Sequence, residues 1–324
     1  MATAIFGDTL PLRLIVYSGK GKAEKPGKMT NPKSTRQAVK SGGGSRLPPW
    51  IRVSMRGGRR RGEVGKVLRD LRLHSVCESA GCPNRCECWE RGTATFMIMG
   101  EICTRNCAFC AVTHGEPADI DPAEAERVAQ AAQRLNLRHV VITSVTRDDL
   151  ADGGASCFAA ATAAIRKRLP QAAVEILTSD FGGDEASLRV ALAAAPDVFN
   201  HNVETCERLT GRMRDRASYR RSLEVLRRAR ALGGQGLIVK SGFMLGLGET
   251  DGEVRDLLRD LRECGVGRLT IGQYLRPRPD CTGVVEYVTP EKFDCWHRVA
   301  TEEYGFPQVE SAPLVRSSYR AERQ

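Results

Sequence analysis

Seven of the twelve cysteines in this 324-residue chain (Cys77, Cys82, Cys86, Cys88, Cys103, Cys107 and Cys110) crowd into one short stretch. Thiols at that density are either oxidised to disulfides or bound to metal. A disulfide framework suits a small secreted domain, whereas a chain this long, 41% of it hydrophobic, can bury a core of its own. No basic start followed by an apolar stretch and a small-residue cleavage site is recognisable, so metal binding in a reducing compartment is the expectation. No run of about 18 apolar residues is present either, and neither a membrane-spanning helix nor a membrane partner is expected.

The formal net charge of +10 raises the question of nucleic acid. Much of the excess lies in the first sixty or so residues, including Arg59, Arg60 and Arg61, and such runs are usually solvated. The balance therefore argues against a nucleic-acid partner and sooner for an acidic protein. Residues 1–45 are rich in Lys, Gly, Ser and Pro without a hydrophobic period and read as a flexible basic tail, with Met29 as an alternative start. Asp8 and Glu24 do not suit an acid-poor transit peptide, which favours the bacterial cytoplasm.

Beyond the cysteines, apolar runs rich in β-branched residues alternate with helical segments. Strands are predicted at Thr95–Met99, His139–Val145, Val174–Thr178, Val198–Val203, Leu237–Leu245 and Arg268–Gly272. Asp121-Pro122 and Thr289-Pro290 read as a cap followed by proline at the first helical position, and Thr250 to Glu253 as a capping box. Six βα units predict an α/β fold, a parallel sheet curled as an incomplete (βα)6 TIM-type barrel with its active-site loops at the carboxyl ends of the strands.

Cys103, Cys107 and Cys110 have the spacing CX3CX2C directly after the first predicted strand. Three thiolates on one tight loop can hold three corners of a 4Fe-4S cluster, leaving the fourth iron without a protein ligand. Zinc is the bland alternative, but it usually takes paired CX2C knuckles or added histidines, and His114 alone is a poor fourth ligand. The spacing, Phe109 before the last cysteine and the position after the first strand resemble the radical SAM superfamily. That resemblance implies an open iron that chelates S-adenosylmethionine (SAM) and an electron that cleaves it to a 5′-deoxyadenosyl radical.

Upstream, Cys77, Cys82 and Cys88 form CX4CX5C, with the words Cys82-Pro83-Asn84 and Glu87-Cys88-Trp89, and near the other end stands Arg316-Ser317-Ser318-Tyr319. These resemble the lipoyl synthase family, whose auxiliary cluster motif has this spacing and whose terminal RSSY serine supplies the fourth ligand. The resemblance implies a second, sacrificial 4Fe-4S cluster on Cys77, Cys82, Cys88 and Ser318. An alkoxide is harder and more readily protonated than a thiolate, so that corner can release its iron when sulfur leaves. Cys86 departs from the family pattern; it is either an alternative ligand or, as favoured here, a small buried side chain. Cys157, Cys206, Cys264, Cys281 and Cys295 lack metal-ligand spacing.

The resemblance runs from about Pro48 to Ala321, through Thr146–Gly154, Asn200–Thr205 and Leu245–Thr250. Asn202, Glu204, Gly246 and Gly248 are the candidates for contacting SAM: the first two alternate on one strand-like face, and the glycines permit close backbone approach. For Asp148, Asp149 and Glu204 an equally plain reading is helix capping and solvated loops, while His139 and His297 read as structural. The expected organisation is a tail over 1–45, an extension with the auxiliary cysteines over 46–92, the barrel over 93–305 and a C-terminal segment over 306–324. The implied activity is sulfur insertion at C6 and C8 of an octanoyl-lysine on a lipoyl carrier domain, either an E2 subunit of a 2-oxoacid dehydrogenase or the glycine cleavage H protein. A low-potential donor such as ferredoxin or flavodoxin would supply electrons. The alternatives are another radical SAM enzyme with an extra cluster, such as a tRNA methylthiotransferase or peptide maturase, and a zinc protein associated with nucleic acid.

Overall fold

A computed structural model describes residues 47–51, 59–79, 82–91, 94–319 and 321, and the tail expected over 1–45 lies outside them. In chain order the strands are β1 (His74–Ser75), β2 (Thr95–Ile98), β3 (Ile102–Cys103), β4 (Thr113–His114), β5 (His139–Ser144), β6 (Ala173–Leu177), β7 (Val198–Asn200), β8 (Ile238–Leu245), β9 (Arg268–Gln273) and β10 (Gln308–Ser311). The helices are α1 (Arg59–Asp70), α2 (Val76–Ser79), α3 (Arg85–Glu90), α4 (Glu124–Arg134), α5 (Ala155–Arg168), α6 (Glu185–Ala193), α7 (Glu207–Met213), α8 (Tyr219–Leu232), α9 (Asp251–Glu263) and α10 (Pro290–Arg298).

Eight strands form one sheet in the order β1-β2-β5-β6-β7-β8-β9-β10, parallel throughout except that β1 runs antiparallel to β2. The six predicted strands are β2 and β5 to β9. β10 was not expected: it adds a seventh parallel strand inside the segment assigned to a C-terminal appendage, because Gln308–Ser311 has no apolar run and is held by its ladder to β9. The sheet stays open, since β1 and β10 are its two edges. None of the described helices is long and apolar enough to cross a membrane.

Alternation along the strands sorts the residues into two faces. Val140, Ile142, Val174, Ile176, Phe199, Val239, Leu269 and Ile271 join helix residues such as Val128, Phe158, Leu226 and Leu258 in the hydrophobic core. The intervening Glu175, Asn200 and Lys240 face the other way, into the barrel. There Lys240 Nζ lies 3.0 Å from Glu175 Oε1, and Asn200 Nδ2 donates to the same oxygen at 2.9 Å. Burial would raise the Glu175 carboxyl, but the Lys240 ammonium and His139 outweigh it and hold the group down at about 2. His139 is thus a structural partner of Glu175, and His297 is exposed near the end of α10.

The capping box at Thr250 and Glu253 and the Thr289-Pro290 start both form as read. Asp121-Pro122 does not. The Asp121 carboxylate instead accepts from the Ala123 N–H in a turn, and α4 begins at Glu124.

Candidate active site

The CX3CX2C loop is closed at its base by pairing of β3 with β4, which sets Cys103 beside His114. Backbone N–H groups then point at sulfur: Arg105 and Thr146 donate to Cys103 Sγ at 3.4 and 3.3 Å, and Val112 donates to Cys110 Sγ at 3.5 Å. Such donors stabilise negative charge on a thiolate. Burial pushes the Cys107 thiol up and the Cys110 thiol up to about 12, with neighbouring cysteines and Glu204 adding to the rise. A thiol so placed gives up its proton when a metal takes the proton's position.

The loop is fixed by groups far away in the chain. Arg105, inside the motif, makes a two-pronged pair with Asp148, Nε to Oδ2 at 2.8 Å and Nη2 to Oδ1 at 2.7 Å, and also reaches Asp180 Oδ1 at 2.7 Å. Arg221 Nε holds the other Asp180 oxygen at 2.8 Å. Burial would raise the Asp180 carboxyl, but Arg105 outweighs it and keeps the group well below the usual carboxylate range. The Asp215 carboxylate accepts from the Asn106 N–H, the Ala108 N–H donates to the Met213 carbonyl, and Cys281 Sγ donates to the Cys110 carbonyl. Asp148 is therefore neither a cap nor a solvated loop residue. Arg105 and Asp180 were not singled out from the sequence, and Cys281 only as a cysteine without metal-ligand spacing; Arg105, lying within the motif, carried a local signal.

Asn202 and Glu204 do not share the strand face expected of them, because β7 ends at Asn200 and Glu204 has a left-handed backbone, φ +66°, yet their side chains meet. Backbone bonds on both sides tie Glu204 to β8, through the Gly242 carbonyl and the Met244 N–H. Asn202 Nδ2 donates to Glu204 Oε1 at 3.1 Å and to Ser317 Oγ at 2.5 Å, while its buried Oδ1 has no partner. Burial raises the Glu204 carboxyl, and the nearby Arg214 and Arg316 pull it back. The two glycines are explained differently. Gly246, at φ +99°, packs where a Cβ would overlap Gln273 Nε2 and the Glu286 carbonyl, so chain packing already requires glycine there; Gly248, at φ +100°, lies beside Val285.

The second cysteine set spans two short helices. Cys77 lies in α2, Cys88 in α3, and Cys82 between them, its N–H donating to the Cys77 carbonyl at 3.1 Å. Burial pushes the Cys82 thiol up, the charge of Cys77 adds to this, and Arg316 works against it. Cys86 is buried, and two residues of helix turn it to the opposite side of α3 from Cys88.

The RSSY segment is stitched to this set and to the barrel. Tyr319 Oη donates to Glu87 of α3 at 3.2 Å, Asn84 Nδ2 donates to the Leu314 carbonyl at 2.5 Å, and Ser318 Oγ accepts from Thr95 Oγ1 of β2 at 2.8 Å. With Ser317 bonded to Asn202, the segment after β10 is tied both to the loop that follows β7 and to β2. The donor sets fit the groups that the motifs imply. Each is three thiols, soft donors of the kind that hold iron-sulfur clusters, carried on one short stretch of chain. The orphaned Asn202 Oδ1 adds a buried acceptor free for a ligand.

Comparison with known proteins identifies the family. Residues 97–261 match the Radical SAM superfamily. The chain is 55% identical over 287 residues to the lipoyl synthase of Methylococcus capsulatus, covering 88% of each chain. It is 51% identical over 277 residues to that of Rubrobacter xylanophilus, covering 86% of each. Among solved structures, methylornithine synthase superposes with a TM-score of 0.50 at 14% identity over 77% of each chain. Streptococcus suis SuiB gives 0.53 at 12% identity over 79% of this chain and 61% of that one. These two likenesses concern the fold, whereas the curated relatives match over most of the chain. The chain belongs to the lipoyl synthase family of the radical SAM superfamily.

Proposed function

We propose that this chain converts a protein-bound octanoyl-lysine into lipoyl-lysine by inserting sulfur at C6 and C8. In this reading Cys103, Cys107 and Cys110 hold the cluster that binds SAM, and Cys77, Cys82, Cys88 and Ser318 hold a second cluster that donates sulfur. Membership of the family implies SAM, a 4Fe-4S cluster and a lipoyl carrier protein as substrate. When bound and reduced by one electron from an external donor, the cluster with SAM would supply a 5′-deoxyadenosyl radical, the chemistry needed at an unactivated C–H bond that offers acid-base catalysis no acidic proton.

The observation that carries the reading is the placement of the RSSY segment. Ser317 contacts Asn202 on the SAM side, and Ser318 contacts Thr95 beside the second cysteine set. A substrate chain entering the barrel would lie between a radical source and a sulfur source. The protein's part is to hold these fixed: the Arg105 pairs set the first loop, Asn202 and Glu204 offer polar contacts to SAM, and the RSSY segment keeps water from the open side of the sheet. Gly246 and Gly248 would shape the loop beside SAM. The carrier is an E2 lipoyl domain or a glycine cleavage H protein, the electron donor is a ferredoxin or flavodoxin, and the setting is the bacterial cytoplasm.

The test is single-turnover mass spectrometry on anaerobically reconstituted protein with SAM, dithionite and an octanoyl-lysine peptide. The expected products are the dithiolated peptide and 5′-deoxyadenosine. Zinc without iron after reconstitution would overturn the assignment, and 5′-deoxyadenosine without sulfur transfer would restrict it to the radical step.

A further inference from the structure

Between β9 and α10 the chain runs from Tyr274 to Thr289 without a helix or strand. A connection of that length with no secondary structure of its own is usually functional. It is tied to two loops of the candidate site. The Thr282 N–H donates to the Ala108 carbonyl at 2.8 Å and Cys281 Sγ to the Cys110 carbonyl at 3.4 Å, both inside the CX3CX2C loop. A few residues on, the Val285 N–H donates to the Gly246 carbonyl at 2.9 Å. Residues 281–286 therefore bridge the cysteine loop and the glycine loop that follows β8. Two neighbouring side chains hold the bridge. Gln273, fully buried at the end of β9, reaches with Nε2 to the Leu245, Tyr274 and Glu286 carbonyls at 3.1, 3.0 and 2.9 Å, and its Oε1 accepts from the Val288 N–H at 2.8 Å. Tyr274, also buried, donates its N–H to the Leu245 carbonyl at 2.8 Å and its hydroxyl to the Thr282 carbonyl at 2.6 Å. Thr282 thus carries a bond on each side: its N–H holds the cysteine loop, and its carbonyl is held by Tyr274.

We propose that Tyr274 is a positioning residue for SAM: through Thr282 it holds the cysteine loop at a set distance from Gly246, so that the two loops grip one SAM molecule together. The proposal rests on the reading above that Cys103, Cys107 and Cys110 hold the cluster that binds SAM, with Gly246 and Gly248 beside it. A ligand held by two loops binds best when they already stand at the right separation, because their ordering is then not charged against binding. Tyrosine suits the position because its rigid ring carries a donor across to the strap while its own N–H stays on Leu245 at the root of the glycine loop. Phenylalanine keeps the ring and the N–H bond and deletes only the hydroxyl, leaving the Thr282 carbonyl without that donor.

The experiment compares the full-length, anaerobically reconstituted parent with Tyr274→Phe and Tyr219→Phe. Tyr219 is the matched control, a buried tyrosine whose hydroxyl donates to Asp260 of α9 at 2.9 Å in the helical layer. Iron content, the urea midpoint, the dissociation constant of SAM without reductant, and hydrogen exchange over 105–110 and 245–249 are measured for each. Tyr274→Phe should keep its iron, bind SAM about fivefold more weakly, the change that one net hydrogen bond makes, and exchange faster in both loops. Tyr219→Phe should lower the urea midpoint and leave SAM affinity unchanged. Unchanged SAM affinity in Tyr274→Phe, or an equal weakening by both variants, overturns the proposal while leaving SAM binding in place. If Tyr274→Phe loses iron, faster exchange in both loops supports the bridge, and parental exchange over 245–249 overturns it, because the tie then serves the cysteine loop alone. A parent that holds iron but binds no SAM removes the reading on which the proposal rests, and the proposal with it.

Discussion

Ser318 Oγ accepts a hydrogen bond from Thr95 Oγ1 at 2.8 Å, joining residues 223 positions apart. The hydroxyl proposed as the fourth ligand is thereby held at the start of the first barrel strand, where it can bind or leave without moving the strand. Ser318→Ala should leave 5′-deoxyadenosine formation within about twofold of the parent and reduce lipoyl product by about tenfold or more, a loss of at least about 1.4 kcal/mol in the sulfur-transfer barrier. Quantifying both products in one single-turnover reaction checks this, and an unchanged lipoyl yield would remove the serine from the ligand set.

The Arg105 pairs fix the CX3CX2C loop. Arg105 is 6% exposed and the Asp180 side chain fully buried, so Arg105→Met strips a buried carboxylate of one of its two cations. Removing one partner of a buried pair costs about 3–5 kcal/mol, and Arg221, which remains on Asp180, should bring the loss to the lower end. The urea midpoint should fall accordingly, and with the second cysteine set replaced by Ala the reconstituted iron should fall with it. A variant as stable and as iron-rich as its parent would show that the loop is held elsewhere.

At Gly272 the argument is steric. Any Cβ there overlaps the Val315 carbonyl, so Gly272→Ala must displace the RSSY segment or the backbone of β9. A destabilisation of about 1–3 kcal/mol is expected, together with loss of sulfur insertion at retained SAM cleavage. Urea denaturation gives the first and the product ratio the second; a fall in SAM cleavage equal to that in sulfur insertion would place the damage in the barrel as a whole.

His201 gives a pH dependence. It is fully buried between the Thr178 carbonyl at 3.0 Å and Ser222 Oγ at 2.9 Å. Burial, with the nearby Arg214, lowers it from 6.5 to about 4. The unfolded chain therefore takes up this proton first as pH falls, so the contribution of the neutral imidazole is complete above 6.5 and is lost between 6.5 and about 4. The shift corresponds to about 3 kcal/mol across that window. Urea midpoints at several pH values should fall less steeply in His201→Gln than in the parent, and equal slopes would assign the acid sensitivity to other groups.

The cysteine spacings were legible because they are a local property: three thiols separated by three and two residues stay on one short loop wherever that loop sits. The strands β2 and β5 to β9 were legible for a similar reason, since short apolar runs rich in β-branched residues mark buried strands. β10 was not, because Gln308–Ser311 gains its conformation from β9 and carries little preference of its own. The start of α4 was misread because the Asp121 carboxylate can close a turn as readily as cap a helix.

What the tertiary structure alone decided is which distant groups meet. The pairing of Arg105 with Asp180, of Ser317 with Asn202 and of Tyr319 with Glu87 spans 75, 115 and 232 residues. No periodicity or spacing encodes such pairs, because each exists only after the parallel sheet has curled and left one side open. The sequence by itself offered the cysteine spacings and the strands; the contacts of the C-terminal segment with Asn202, Thr95 and Glu87 arise only in the folded chain, because each joins side chains that the sheet alone brings side by side.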